Sequence, residues 1–313
     1  MKLFYYQGSD GFQNFGDALN SWLWPKLLPN FFDEDSKVIF IGFGTLINNF
    51  LIRRISPAER VILFTTGVGY EKNLKQLPEY MQLYSVRGPR SASALHLPAE
   101  MAITDGAILV RDVWTPKPEQ RDQVSFMPHV THAKAAGQIW KQICERLQIQ
   151  YIDPTEPDVE TVLNQINRSK LMLAEAMHGA IVADALRVPW IPLRTSAEIL
   201  TFKWLDWCDS VQCRYQPRYL PPLLSAYPRF AQGLRSGLKS LGYWNQAISQ
   251  SPKLHLDLLI QERFGIRDSI RLWEQALAQV ATSGLGYLSD FSHWQHLHDR
   301  LLRRLDDLKN DWI

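Results

Sequence analysis

Short runs of apolar residues, four to six long, recur along the first two thirds of the chain, each followed by a glycine-bearing corner and then by residues spaced like a helix. Leu3 to Tyr6, Val38 to Ile41, Val61 to Thr66 and Tyr80 to Val86 read as strands, and Ile103 to Val110 closes this series with a corner at Asp105-Gly106. The helices between them are expected over Ala18 to Leu28, which Pro25 should shorten, and over Leu46 to Ile55. A second series follows: strands at Val124 to Met127, Ile149 to Ile152, Leu171 to Ala174 and the segment ending at Leu193, with helices ending near Leu147 and over Glu156 to Ile166 and Ser196 to Trp207. Alternating strands and helices of this kind predict parallel sheets covered on both faces, with ligands bound beyond the carboxyl ends of the strands.

Two prolines among polar residues, in Trp114 to Arg121, interrupt both periodicities and mark a linker. The expected organisation is an N-terminal α/β domain over 1–115, a second over 121–215, and a helical C-terminal extension over 216–313. In that extension Leu223 to Ile248, Leu254 to Ala281 and Phe291 to Trp312 carry helical apolar spacing. The last is basic and amphipathic; packing on its own domain or on a second subunit is the ordinary use of such a stripe, with an anionic membrane surface as the minor alternative.

Composition narrows the partners. With 313 residues, 46% hydrophobic content and a formal net charge of +2, the chain can build two cores but lacks the basic footprint of an obligate nucleic-acid binder. Cys144, Cys208 and Cys213 form neither a CxxC pair nor an even set, which fits buried thiols in a reducing compartment. The N-terminus turns polar too early for a secretory apolar region and no run of 18 apolar residues occurs, so a cytoplasmic protein is expected, with a peripheral contact at the inner face of the membrane left open.

Candidate chemistry gathers at the corners. His178 lies where Leu171 to Ala174 turns into the helix begun by Met177-His178-Gly179, beside backbone N–H groups that have no partner within the helix. A single histidine there is ordinarily a structural hydrogen-bonding residue; the other corners shift that balance. Asn14-Phe15-Gly16-Asp17 and Gly42-Phe43-Gly44-Thr45 open two further helices, Arg87 ends a strand, Arg90 lies on the helix after it, and Lys203 sits between Phe202 and Trp204. His129 and His132 share metal-ligand spacing, but no carboxylate or cysteine nearby completes a set.

Taken together, Asn14 to Asn20, Gly42 to Ile47, Ser85 to Ser91, Thr104 to Ala107, Met127-Pro128-His129 and the block Glu175 to Leu193 resemble the polysaccharide pyruvyl transferase family, in its order and approximate spacing, between about residues 3 and 210. The resemblance implies two Rossmann-like domains arranged like a GT-B glycosyltransferase, with the site between them. It implies phosphoenolpyruvate as donor co-substrate, no cofactor or metal, and a sugar of an oligosaccharide or lipid-linked saccharide as acceptor, yielding a pyruvate ketal; homo-oligomerisation stays open. On the matching positions, His178 and Asp105 are expected to be catalytic. Arg87, Arg90, Lys203 and Gly179 are expected to hold the donor, and Asn14, Gly16, Asp17, Gly44, Thr45, His129 and Glu175 the acceptor side. Many members carry a basic residue two before the histidine, where this chain has Ala176, which shifts phosphate binding toward Arg87, Arg90 or Lys203. A nucleotide-sugar glycosyltransferase and a non-catalytic glycan-binding relative are the alternatives. The arrangement further predicts that the corners converge on one gap, with the imidazole of the second half confronting the guanidinium of the first.

Overall fold

The computed structural model describes residues 1–8, 13–33, 35–56, 58–70, 74, 76–117, 120–196, 199–220, 250, 267–284 and 286–312. Two parallel sheets organise them. The first runs β1 (Lys2–Phe4), β2 (Val38–Ile41), β3 (Arg60–Leu63) and β4 (Met81–Leu83) in sequence order. The second has the order β6-β5-β7-β8-β9, from β5 (Gln123–Met127), β6 (Gln150–Tyr151), β7 (Ser169–Ala174), β8 (Trp190–Arg194) and β9 (Arg218–Tyr219). The strand-and-corner pattern anticipated all but β9, which extends the second sheet past residue 215.

The central stretches of β2, β3, β7 and β8 are apolar because both of their faces are covered. Along β2, Ile39 and Ile41 face one core and Phe40 the other; β3 repeats this with Val61 and Leu63 against Ile62. In β7, Leu171 and Leu173 point outward while Met172 and Ala174 point inward, as a side-chain period of two requires. The inner core is shared by both sheets. α1 (Phe15–Leu27) contributes Phe15, Leu19, Leu23 and Trp24 to it, and α7 (Met177–Ala185) contributes Ala180, Ile181 and Val182. α7 is apolar on nearly every side because it is buried on nearly every side.

Between these lie α2 (Asn49–Arg54), α3 (Pro89–Ala94), α4 (Val110–Val113), α5 (Val130–Arg146), α6 (Val159–Asn167) and α8 (Thr201–Ser210). Two differ from expectation for local reasons. α1 continues through Pro25 and ends only at Leu27, so the proline does not stop it. α2 starts at Asn49 rather than Leu46 because the Asn48 side chain caps it, accepting from the N–H groups of Phe50 (3.0 Å) and Leu51 (3.2 Å). Cys144, Cys208 and Cys213 are free thiols, the first two buried.

α9 (Arg267–Thr282) covers the outer face of the second sheet, where Trp273 meets Trp140 edge to face at 4.0 Å. The chain then pairs Tyr287 with Trp190 of β8 and enters α10 (Phe291–Trp312), which lies back against the first half. Its apolar stripe of Trp294, Leu297, Leu301, Leu305 and Leu308 is buried in the inner core, so the face that could have entered a membrane is occupied within the chain. Tyr84 Oη donates to Asp311 (2.6 Å), and His298 pairs with Asp112 (2.8 Å). The helix expected over Leu223 to Ile248 lies outside the described residues, as does most of the start of Leu254 to Ala281. No helix among the described residues is long and apolar enough to cross a membrane.

Candidate active site

The carboxyl ends of both sheets open into one cleft of ≈ 1070 Å³. The first half supplies Asn14 and Asp17 at the start of α1 and Gly44 and Thr45 after β2; the second supplies His129, His178 and Lys203. The predicted convergence of distant corners is therefore present, though the pairing across the gap differs from the expected one.

His178 follows the first residue of α7 and leans into the first half. An ideal Cβ on Gly16 would stand 2.0 Å from its Nδ1, so only glycine lets the imidazole lie so close to α1. Phe43, from the corner after β2, lies with its ring 5.5 Å from the imidazole centroid. Facing Nε2 at 3.8 Å is Oδ2 of Asp105 rather than a guanidinium. Asp105 is fully buried; its Oδ1 accepts from the Ala107 N–H (3.0 Å), capping the turn Gly106–Leu109. Oδ2 and His178 Nε2 have no hydrogen-bond partner among the described residues. Two buried polar atoms aimed at each other without a bond are uncommon among native side chains.

Electrostatics assign the protonation states. Burial, reinforced by the positive charges of Lys203 and Arg87, pushes His178 down to about 3, so its ring is neutral near pH 7. Burial pushes Asp105 up to about 6 against the opposing pull of Arg87. Asp17, on the cleft wall, is likewise raised to about 6 by burial, although Asn14 donates to its Oδ2 (2.9 Å) and Lys203 pulls the other way. Lys203 is 9% exposed and donates to Tyr70 Oη at 2.9 Å across the cleft. His129 caps α5, with Nδ1 2.8 Å from Thr131 Oγ1, and burial pushes it down to about 3.

Four of the predicted residues serve elsewhere. Arg87 ends β4's following segment as expected but is 0% exposed: Nε donates to Asp206 of α8 (3.1 Å), and Nη1 donates to the Gly44 carbonyl (3.2 Å) and Thr45 Oγ1 (2.7 Å). It braces the cleft wall from behind instead of clamping a donor in front. Arg90 pairs with Asp209 on the outer surface, Nε to Oδ2 at 2.7 Å. Gly179 faces the second sheet, where an added Cβ would stand 2.8 Å from Met127 Sδ; its smallness serves helix-on-sheet packing. Glu175 is buried away from the cleft and accepts from His132 Nδ1 (2.7 Å), the His129 N–H (2.9 Å) and the Thr195 N–H (3.1 Å), as well as from the Thr195 hydroxyl. Burial opposes its charge, but His132 and these donors outweigh that and hold it down to about 2.

Sequence reasoning missed Tyr5, Tyr6, Arg54, Tyr70 and Lys134, all of which line the cleft. By its apolar pattern Tyr5-Tyr6 reads as the end of a strand, yet β1 stops at Phe4, and residues just past a parallel strand's carboxyl end are where such sheets bind ligands. Arg54 and Lys134 carried no signal beyond helical surface charge.

No solved structure matches the chain. A curated relative, the succinoglycan biosynthesis protein ExoV of Rhizobium meliloti (strain 1021), is 33% identical over 332 residues, with all of both chains covered. The family model described as polysaccharide pyruvyl transferase matches residues 2–196, the span that contributes all but Lys203 of the cleft residues described above. By that match and by its full-length relative, the chain belongs to the polysaccharide pyruvyl transferase family and is a transferase.

Proposed function

We propose that the chain transfers the three-carbon unit of phosphoenolpyruvate to two hydroxyls of one sugar in an exopolysaccharide precursor, forming a pyruvate ketal and releasing phosphate. The observation that carries this reading is the buried Asp105–His178 pair, each with an atom lacking a partner among the described residues, whose His178 lines a cleft together with Asp17 and Lys203. The two-sheet architecture is read as a GT-B-like pair of Rossmann-like units, and no cofactor or metal is needed. The donor is an intracellular metabolite, so the reaction is assigned to the cytoplasm, with a saccharide or lipid-linked saccharide as acceptor.

The chemistry needs an acid for the enol carbon and a base for the attacking hydroxyl. Asp17, raised to about 6, remains partly protonated near neutrality and protonates the methylene carbon, leaving a cationic centre at the phosphate-bearing carbon. A sugar hydroxyl attacks that carbon and gives its proton to neutral His178. The imidazolium so formed is stabilised by the Asp105 carboxylate, 3.8 Å away before reaction. The carbon–oxygen bond to phosphate then breaks, the phosphate taking the proton from His178. The second hydroxyl closes the ketal and its proton returns to Asp17. One hydroxyl proton thus ends on the new methyl group and the other on phosphate. Lys203, with Lys134 at the mouth, supplies positive charge for the donor's phosphate and carboxylate.

The test incubates the protein with phosphoenolpyruvate and the depyruvylated oligosaccharide of a producing strain, following the ketal methyl resonance and released phosphate. Both should appear together, and His178→Ala should lower kcat by about 100-fold to 10,000-fold. Equal turnover by the variant, or product only from a nucleotide sugar, overturns the reading.

A further inference from the structure

Tyr70, on the wall of the cleft, has a backbone that does not suit its size. It adopts φ +70, in the left-handed region where a bulky side chain is strained, and it follows Gly69 at φ +153. Such a conformation persists only where the surroundings over-determine it, and residues held in this way cluster at functional sites. The surroundings here are specific. A Cβ built on Gly69 would stand 2.7 Å from Thr45 Cγ2 and 2.9 Å from Leu200 Cδ2, so the corner beyond β3 is wedged between the corner beyond β2 and the residue that opens α8. Glycine is favoured there twice over, by the crowding and by its φ, and the turn it makes carries Tyr70 toward α8.

What the strained corner gains is a hydrogen bond between the two halves. Lys203, in the first turn of α8, donates from Nζ to Tyr70 Oη at 2.9 Å. Packing does not explain the corner, because Tyr70 is 55% exposed. Lys203, by contrast, is nearly buried, and its charge is felt across the cleft. Burial is the main influence on Asp17, His129 and His178, and the ammonium of Lys203 then pulls all three down. Where this single charge stands therefore matters to the donor and to the proton carriers alike. A lysine head is a point charge on a flexible stem, so an unheld ammonium would sample many positions.

We infer that Tyr70 is a positioning residue: its hydroxyl, brought from the first half by the strained Gly69–Tyr70 corner, holds the Lys203 ammonium of the second half where it meets the donor's phosphate or carboxylate. The inference rests on the function proposed above and adds to it a residue that acts through another, without touching the donor itself. A fixed cation binds an anion better than a mobile one, because the cost of ordering the side chain is met before the ligand arrives.

The experiment is a double-mutant cycle on the full chain, with Tyr70→Phe, Lys203→Met and both together, assayed with phosphoenolpyruvate and the depyruvylated oligosaccharide of a producing strain. Tyr70→Phe keeps the ring and the backbone and removes only the tether. It should raise KM for phosphoenolpyruvate about tenfold, as loss of one charge-assisted hydrogen bond would, with kcat and the acceptor KM changed much less. Lys203→Met should raise that KM at least as far, and adding Tyr70→Phe to it should cause little further loss, because the hydroxyl then has no ammonium to hold. The alkaline fall of kcat should move as well. Lys203 pulls Asp17 down, so an ammonium no longer held in place lets Asp17 rise and shifts the fall to higher pH. The other ionisable groups lining the cleft, Tyr5, Tyr6, Arg54, His129, Lys134 and His178, are the same in both proteins. Calorimetric binding of phosphoenolpyruvate and of inorganic phosphate, with no acceptor present, is measured in parallel. If no ketal forms yet the two substitutions each weaken anion binding without adding, the positioning role stands and the proposed chemistry falls. An unchanged or lower KM in Tyr70→Phe, losses that multiply in the double variant, or a lowered melting temperature with an unmoved alkaline fall overturns the inference.

Discussion

Replacing Gly16 by alanine separates helix propensity from active-site geometry. Gly16 lies in the first turn of α1 with ordinary helical geometry, and exchanging a helical glycine for alanine favours the helix by up to about 1 kcal/mol. On propensity alone Gly16→Ala is neutral or stabilising. The new methyl, however, would stand 2.0 Å from His178 Nδ1, 2.6 Å from Cγ and 2.9 Å from Cε1. Those atoms belong to a short side chain flanked by Phe43 and Asp105, so the ring must turn away as a unit. Relieving such an overlap takes a displacement of about 1 Å, which is enough to cost roughly 100-fold when it misplaces a reacting group. The expected outcome is a folded protein whose kcat for ketal formation is down about 100-fold, with a melting temperature within a few degrees of wild type. The decisive comparison is the double variant. If Gly16→Ala acts through the imidazole, adding it to His178→Ala should cause little further loss, because both changes remove one and the same function. A folded Gly16→Ala protein with wild-type kcat, or a double variant whose losses multiply, would refute the assignment of His178.

Two further outcomes follow from the buried charges. Asp206→Ala leaves Arg87 buried without its carboxylate and strips the acceptor from the Ser91 N–H and hydroxyl; unfolding in urea should show about 3–5 kcal/mol of lost stability, and a change under 1 kcal/mol would mean the pair is not a brace. With Asp17 and Asp105 both raised to about 6, the proposed chemistry needs the first protonated and the second ionised, so kcat should rise and then fall around pH 6. Asp17→Asn should abolish the fall on the alkaline side and Asp105→Asn the rise on the acid side; a profile in either variant unchanged in shape would remove that residue from proton transfer.

The fold was legible because its strands are buried on two faces, which makes them short, apolar and easy to find. The cleft was legible in part for the same reason: a parallel sheet exposes the residues after its strands, so Asn14, Gly16, Asp17, Thr45 and His178 stand out at corners, while Lys203 stands out only by its aromatic neighbours on a helix. What a corner does not reveal is the direction of a long side chain. Arg87 stands at the right place, but its head-group follows Asp206, 119 residues away on α8. Glu175 is three residues from His178 and yet serves His132, because β7 and α7 turn the two side chains apart. Tyr6 and Tyr70 carry no motif, and only the shape of the cleft makes them candidates. The continuation of α1 through Pro25 reflects tertiary support, since buried Leu23 and Trp24 anchor the turn that the proline weakens.

In the proposed reaction, Arg87 behind the wall would act as a fixed charge rather than as a clamp on the donor. A guanidinium that clamped the donor would have its charge cancelled whenever phosphate bound and restored whenever phosphate left, and the acidity of nearby groups would swing with each turnover. Held by Asp206, it acts as a fixed charge that the substrate does not displace. From there it helps keep His178 unprotonated and partly offsets the burial that raises Asp105. In the proposed step this fixed positive charge disfavours the imidazolium, so its stabilisation falls to the Asp105 carboxylate facing Nε2. Ala176, where the resemblance leads one to expect a basic residue, is compatible with the proposed reaction, because positive charge reaches the cleft from Lys203 and, through the wall, from Arg87.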